Sequence, residues 1–224
     1  MRPRVGGVYK PLRGISVNVN GVWKPAKAAW TKVDGQWRPF SVSSLALRVQ
    51  MQCNGPSNQN NFHYETIANT NYTVKSGDKL IYEVWLDSNS STAGIDCVMV
   101  KANGAKQDLR TEGIQDQNNL SCHPATNLAS YARGQWYVRT FNLNQIAGAN
   151  ISKWCVAFEE DIAATYGYFI RNARIVDSSG NTQLNIFVDG LQVTAQETYV
   201  GGDGYPTTSN YNINSLVKQV NAGP

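Results

Sequence analysis

Val5-Gly6-Gly7-Val8-Tyr9-Lys10-Pro11, Val19-Asn20-Gly21-Val22-Trp23-Lys24-Pro25 and Val33-Asp34-Gly35-Gln36-Trp37-Arg38-Pro39 align without gaps at intervals of 14 residues. Glycine, aromatic, base and proline recur in each copy, and self-similarity at a fixed period marks a repeated supersecondary unit. Gly-Gly, Asn-Gly and Asp-Gly each supply two successive residues that tolerate positive φ, as a two-residue type I′ turn requires. An alternating stretch such as Ile15-Ser16-Val17-Asn18-Val19 leads into the turn. A short strand carrying the aromatic leads out of it, ended by a proline that has no N–H to give to a ladder. Each unit is therefore expected to be a β-hairpin, with Tyr9, Trp23 and Trp37 at equivalent positions in an aromatic row. A lone hairpin is marginal in water. The row is expected to be covered either within one intramolecular meander or by copies from other chains, and among oligomers a trimer is favoured.

Charge separates this segment from the rest. Residues 1–40 carry eight basic side chains (Arg2, Arg4, Lys10, Arg13, Lys24, Lys27, Lys32 and Arg38) against Asp34 alone. That is a net +7, while the whole chain of 224 residues carries only +4. A basic segment ahead of a mildly acidic body is expected to dock on something negative, or else to present a solvated basic face. An acidic protein surface suits it at least as well as nucleic acid, which is not the favoured partner.

The Gly-x-Trp-Lys-Pro pattern of residues 5–40 resembles the hairpin repeats at the ends of bacteriophage tail and tail-fibre proteins. The resemblance implies an attachment module, with Tyr9, Trp23, Trp37, Lys10, Lys24 and Arg38 forming an attachment or oligomer interface. It also implies that other virion proteins are the partners.

From Leu45 the pattern changes. Leu45-Ala46-Leu47-Arg48-Val49-Gln50-Met51 alternates as a half-buried strand. Further strands are expected at 79–86, 95–100, 136–143, 154–158, 166–170, 173–176 and 184–188, separated by turns such as Ser76-Gly77-Asp78 and Ser178-Ser179-Gly180-Asn181. Only 16% of the residues are charged, and the polar remainder is rich in Asn, Gln, Ser and Thr. Many short strands with almost no helical periodicity predict an all-β protein: N-terminal hairpin repeats followed by a β-sandwich of jelly-roll type. The expected division is a hairpin attachment module over 1–42, a sandwich over 43–190 and a C-terminal hairpin or arm over 191–224. In that arm, Asn214–Val220 is expected to form one or two helical turns or to fray, and the arm either packs on a neighbouring subunit or stays loose.

Three segments, Ser76–Trp85, His123–Arg139 and Tyr166–Ile175, are similar in order and spacing to the jelly-roll carbohydrate-binding modules of bacterial surface proteins, glycosidases and phage tail proteins. The resemblance implies a glycan ligand, such as a host surface polysaccharide. Sugars stack on flat aromatic faces and bond to planar polar groups. If Tyr82, Val84 and Leu86 face the core, Glu83, Trp85 and Asp87 face outward and make a platform. Trp136, Arg139, Tyr168 and Arg171 are expected to contribute from other strands, and Asn119 and His123 from a long loop. Each aromatic has a place in the core as its alternative. Related modules hold a structural calcium; Glu65, Glu159, Glu160, Asp161 and Asp177 offer oxygens, but no calcium-loop spacing is present. No cofactor or metal is expected.

Catalysis is not expected either. The sequence has no Gly-x-Ser-x-Gly, His-Glu-x-x-His or phosphate-loop motif, and Gly201-Gly202-Asp203-Gly204 lacks a nucleotide-binding context. Glu83 with Asp87 is the nearest pair to a glycosidase dyad. Cys53, Cys97, Cys122 and Cys155 form no Cys-x-x-Cys and allow three pairings, with Cys97 and Cys155 read as buried free thiols. The first residues lack the apolar core of a secretory signal, and no stretch is long enough to cross a membrane. Assembly in a bacterial cytoplasm into a virion is expected: a tail, baseplate or fibre protein whose jelly roll binds host glycan. The alternatives are a purely structural capsid decoration or tail accessory protein, and a non-catalytic carbohydrate-binding module of a bacterial protein.

Overall fold

In the computed structural model, backbone is described for 4–5, 8–9, 16–19, 22–25, 29–33, 36–40, 45–53, 61–87, 93–122, 128–160, 163–187 and 213–221, and side chains for 46–52, 64–87, 93–122, 128–159 and 163–187. The three repeat units are three hairpins: β1 (Arg4–Val5) with β2 (Val8–Tyr9), β3 (Ser16–Val19) with β4 (Val22–Pro25), and β5 (Ala29–Val33) with β6 (Gln36–Phe40). Their innermost partners are Val5 with Val8, Val19 with Val22, and Val33 with Gln36. Two residues therefore separate the strands each time, as the Gly-Gly, Asn-Gly and Asp-Gly pairs demand. Tyr9, Trp23 and Trp37 each fall one ladder position further out, opposite Arg4, Asn18 and Lys32. β4 ends at Pro25, whereas β6 runs one residue past Pro39. Each hairpin is its own two-stranded sheet, so among the described residues no ladder joins them into a meander. The side chains expected to form the interface, from Tyr9 and Lys10 to Trp37 and Arg38, lie outside the described ones.

The remaining strands are β7 (Leu45–Cys53), β8 (Asn61–Thr73), β9 (Lys79–Leu86), β10 (Gly94–Val100), β11 (Lys106–Gln107), β12 (Trp136–Asn142), β13 (Asn150–Glu160), β14 (Ala164–Val176), β15 (Thr182–Phe187) and β16 (Ile213–Asn221). One antiparallel sheet runs β12-β9-β14-β7-β16, with β15 also on β14, and the other runs β11-β10-β13-β8. β7 pairs β14, β8 pairs β13, β9 lies beside β12, and β10 beside β11. Across the eight strands β7–β14, pairing first with last and second with second-last is the wrapped connectivity of a jelly roll, with β15 and β16 added to the same sheet. All-β architecture with hairpins and a sandwich is thus what the residues build.

Strand β9 shows why. Its residues alternate between partly exposed and buried along its whole length, with Leu80, Tyr82, Val84 and Leu86 inside. They meet Leu47, Val49 and Met51 of β7, Ile170 of β14, and Trp154, Val156 and Phe158 of the facing sheet in one core. Strand β10 is buried on both faces, because Tyr64, Val98, Cys155 and Ala157 form a second small cluster on the outer side of its sheet. Cys97, Cys122 and Cys155 are free buried thiols; burial pushes that of Cys155 up to about 12. The side chain of Cys53 lies outside the described residues.

Two expectations need correction. Asn214–Val220 is not helical: β16 pairs with β7 residue for residue, from Ile213 opposite Cys53 to Asn221 opposite Leu45. The spacing of Leu216, Val217 and Val220 suits one face of a helix, but the ladder offered by β7 outweighs that local preference. Strand β8 was not anticipated. It is rich in Asn and Thr and lacks an apolar run, yet it lies beside β13 along ten paired positions.

Candidate functional site: the outer face of the larger sheet

The outward positions of β9 meet their neighbours in two rows. Trp136 of β12 is opposite Trp85, Trp85 is opposite Phe169 of β14, and Phe169 is opposite Arg48 of β7. One step along, Val138 is opposite Glu83 and Glu83 opposite Arg171. Directly opposed residues point to the same face, so these seven side chains share one surface. It is the face turned away from the core, since Tyr82 and Val84 point the other way.

The arginines lie flat on this surface. Arg171 donates from Nε and Nη2 to Glu83 Oε2, both at 2.7 Å, and its guanidinium carbon stands 3.9 Å from the centre of the Trp136 ring. Asn172 donates to the other Glu83 oxygen at 2.6 Å. Asn172 has φ of +55° and sits where β14 gains one residue relative to β9. Glu83 therefore pins a β-bulge. Arg48 donates to both oxygens of Asp87, at 2.9 and 2.5 Å, and its guanidinium carbon lies 4.6 Å from the Phe169 ring centre. It crosses β14 at Gly167, whose carbonyl accepts from the Asp87 N–H. A Cβ on Gly167 would run into the Asp87 carboxylate and come within 2.6 Å of the Arg48 guanidinium. Trp85 sits between the two pairs, its ring 5.9 Å from that of Trp136 and tilted by 58°. Val138, at 53% exposure, is the most open large apolar side chain among the described residues.

Of the expected site residues, Glu83, Trp85, Asp87, Trp136 and Arg171 come together here. Arg139 and Tyr168 do not, and this corrects the expectation. Arg139 is fully buried and donates to Asp116 Oδ2 (2.8 Å), the Tyr82 hydroxyl (3.2 Å) and the carbonyls of Leu120 and Ser121. Burial works to lower its pKa, but Tyr82 and Asp116 outweigh that and hold it above the ordinary value. Tyr168 is in the core, its hydroxyl donating to the Ala157 carbonyl at 2.9 Å, and burial raises its pKa. The phase of each strand carried the signal. Arg139 shares parity with Phe141 and Tyr168 with Ile170, so both must point inward. The same parity puts Arg48 and Phe169 outward, and both were missed.

Asn119 is exposed in a tight turn, with φ of +61° and its N–H donated to the Asp116 carbonyl. That turn covers the outer edge of β12. The Gln117 side chain donates to the Val138 carbonyl and accepts from the Thr140 N–H, both at 2.7 Å, so one amide imitates a neighbouring strand. His123 lies outside the described residues. The carboxylates considered for calcium are scattered. Glu65 is buried on β8, Glu159 faces Arg110 at 3.5 Å, and Asp177 accepts the Ser179 and Asn181 N–H groups of its own turn. Side chains of Glu160 and Asp161 are not among those described.

No family model matches the chain, and no curated protein matches it. Among solved structures, the crystal structure of domains C and D of another protein aligns at 12% identity over 77% of this chain and 70% of that one, with a TM-score of 0.31. A likeness this weak carries no argument.

Proposed function

We propose that this protein is a virion component of a phage tail, baseplate or fibre, non-catalytic, anchored through its N-terminal hairpins and binding a host surface glycan on the outer face of its larger sheet. The glycan assignment rests on one observation: Trp85 is held outward between two carboxylate–arginine pairs on a flat, half-exposed surface. Aromatic rings beside fixed donors and acceptors suit a sugar, whose faces are apolar and whose rim is hydroxylated. Glu83 and Asp87 are each tied down by an arginine of another strand, an arrangement suited to holding hydroxyl groups rather than to cleaving bonds. The attachment role is supported by the repeated hairpin register and the +7 charge of residues 1–40. A second reading, a purely structural decoration or accessory protein, is favoured by the fact that Arg48 and Arg171, the two arginines flanking Trp85, already have carboxylate partners within the chain.

The test is a glycan array probed with the full chain and with Trp85→Ala. Binding that the substitution removes, with an unchanged melting temperature, supports the receptor role. An intact oligomer that binds no glycan, together with unaltered host adsorption by Trp85→Ala particles, sinks it and leaves the structural reading. Light scattering on the full chain and on a form lacking residues 1–42 checks whether the hairpins assemble the expected trimer.

A further inference from the structure

Resting on the glycan reading, we infer that the face holds two equivalent clamps on either side of Trp85 and takes an uncharged oligosaccharide laid along β9. Glu83 and Trp85 are outward positions of this strand, and Asp87 follows directly after its last residue, Leu86. At each end a carboxylate meets a guanidinium from another strand, Arg171 for Glu83 and Arg48 for Asp87, and each guanidinium rests on an aromatic ring, Trp136 or Phe169. Carboxylate, arginine and ring are thus used twice, about 13 Å apart along the strand at ~3.3 Å per residue.

The chemistry of each clamp decides the ligand class. Within the two clamps two cations and two anions cancel, so neither clamp itself draws a charged polysaccharide; Lys79 and Arg174 lie on the same face beyond Glu83, and Arg174 donates to the Asn172 carbonyl. An anionic sugar reaching Arg48 or Arg171 would have to displace a carboxylate already bonded at 2.5–2.9 Å. A hydroxyl both donates and accepts, whereas a guanidinium only donates and a carboxylate only accepts. Adjacent hydroxyls of a sugar therefore complement a clamp without disturbing it. Planar, stacked and paired arginines are also already ordered, so little side-chain freedom remains to be lost on binding.

Gly167 is a positioning residue in this arrangement. A Cβ at this position would force the Asp87 carboxylate and the Arg48 guanidinium to move from where they meet across β14. A side chain there is expected to shift the guanidinium relative to Phe169 and weaken that clamp.

Affinity electrophoresis of the full chain through dextran, mannan and β-glucan, and through alginate and heparin, tests this. Expected is retardation by an uncharged polymer that changes less than about twofold between ~0.05 and ~0.5 M salt. Gly167→Ala, Arg48→Met and Arg171→Met should each weaken it by about tenfold or more, near 1.4 kcal/mol. Arg48→Lys keeps the charge but loses the planar fork, and should behave like Arg48→Met with a native melting curve, which separates loss of the clamp from misfolding. Retardation only by alginate or heparin, collapsing with salt, overturns the inference. So does binding of an uncharged polymer that needs Trp85 but survives Gly167→Ala and Arg48→Lys; in both cases the glycan reading stands. No retardation by any polymer, with Trp85→Ala also indistinguishable from wild type, overturns the glycan reading and the inference with it.

Discussion

Arg139 and Asp116 form an ion pair in which neither side chain is exposed to water. Asp116 also accepts the N–H groups of Asn118 and Leu120 through its other oxygen, at 2.9 and 3.0 Å. One carboxylate thus folds its own turn and neutralises a guanidinium buried in β12. Removing either partner strands a charge in a dry site, a loss of about 3–5 kcal/mol. Asp116→Ala and Arg139→Ala are each expected to lower the urea midpoint accordingly. Removing both should cost much less than the sum, which a double-mutant cycle measures.

Asp96 is expected to make the sandwich less stable as pH rises. It is fully buried on β10; one oxygen accepts the N–H groups of Cys97 and Leu109, and the other has no hydrogen-bond partner. Burial first and Asp108 second push its pKa up to about 7, while the Cys97 and Leu109 N–H groups and Arg110 pull the other way. The folded value lies above the unfolded value of about 3.9. The contribution is therefore fully present below about pH 4, falls as the unfolded chain ionises more readily, and is lost above about pH 7. Asp96→Asn should flatten the dependence of the urea midpoint across this window. An unchanged slope would show that Asp96 does not set the pH response.

Gln117 closes a sheet edge with a side chain, and open edges invite pairing with other chains. Gln117→Ala removes two hydrogen bonds to β12, a loss of about 1–2 kcal/mol. Faster amide exchange at Thr140 and concentration-dependent association at neutral pH are the expected signs. Gln117→Glu keeps the acceptor for Thr140 but loses the donor to Val138, and should fall between the two.

Trp85→Ala tests surface against core. Trp85 is half-buried on the outer face, whereas Trp154 is buried completely. Trp154→Ala should cost about 3–5 kcal/mol. Trp85→Ala should cost about 1 kcal/mol, comparable to an ordinary substitution. Thermal melts of the two variants, run together, compare them.

Much of this was legible in the sequence because it rests on two short-range rules. Two-residue turn chemistry set the register of all three hairpins, and strict alternation set both faces of β9. What escaped depends on distant neighbours. Strand β8 buries Thr66 and Glu65 rather than an aliphatic run, so nothing local marks it. The local pattern of β16 suits a helix, and the pairing partner that makes it a strand lies more than 150 residues away. In the site, the residue type of Arg139 suggests a surface cation, whereas parity with Phe141 turns it inward. Its burial is possible only because Asp116 arrives from another segment. Parity turns Arg48 outward, but its relation to Gly167 exists only once β7, β14 and β9 lie side by side.

The pairing of β16 with β7 also sets how the sandwich answers a pull. Tension entering from the hairpin repeats reaches the sandwich at Leu45, the first residue of β7. Because β16 lies on one side of β7 and β14 on the other, that strand is interior. Drawing it out requires two ladders to yield together, whereas an edge strand would peel away along one. Under the proposed attachment through the N-terminal hairpins, the strand that takes the strain is the one clasped on both sides.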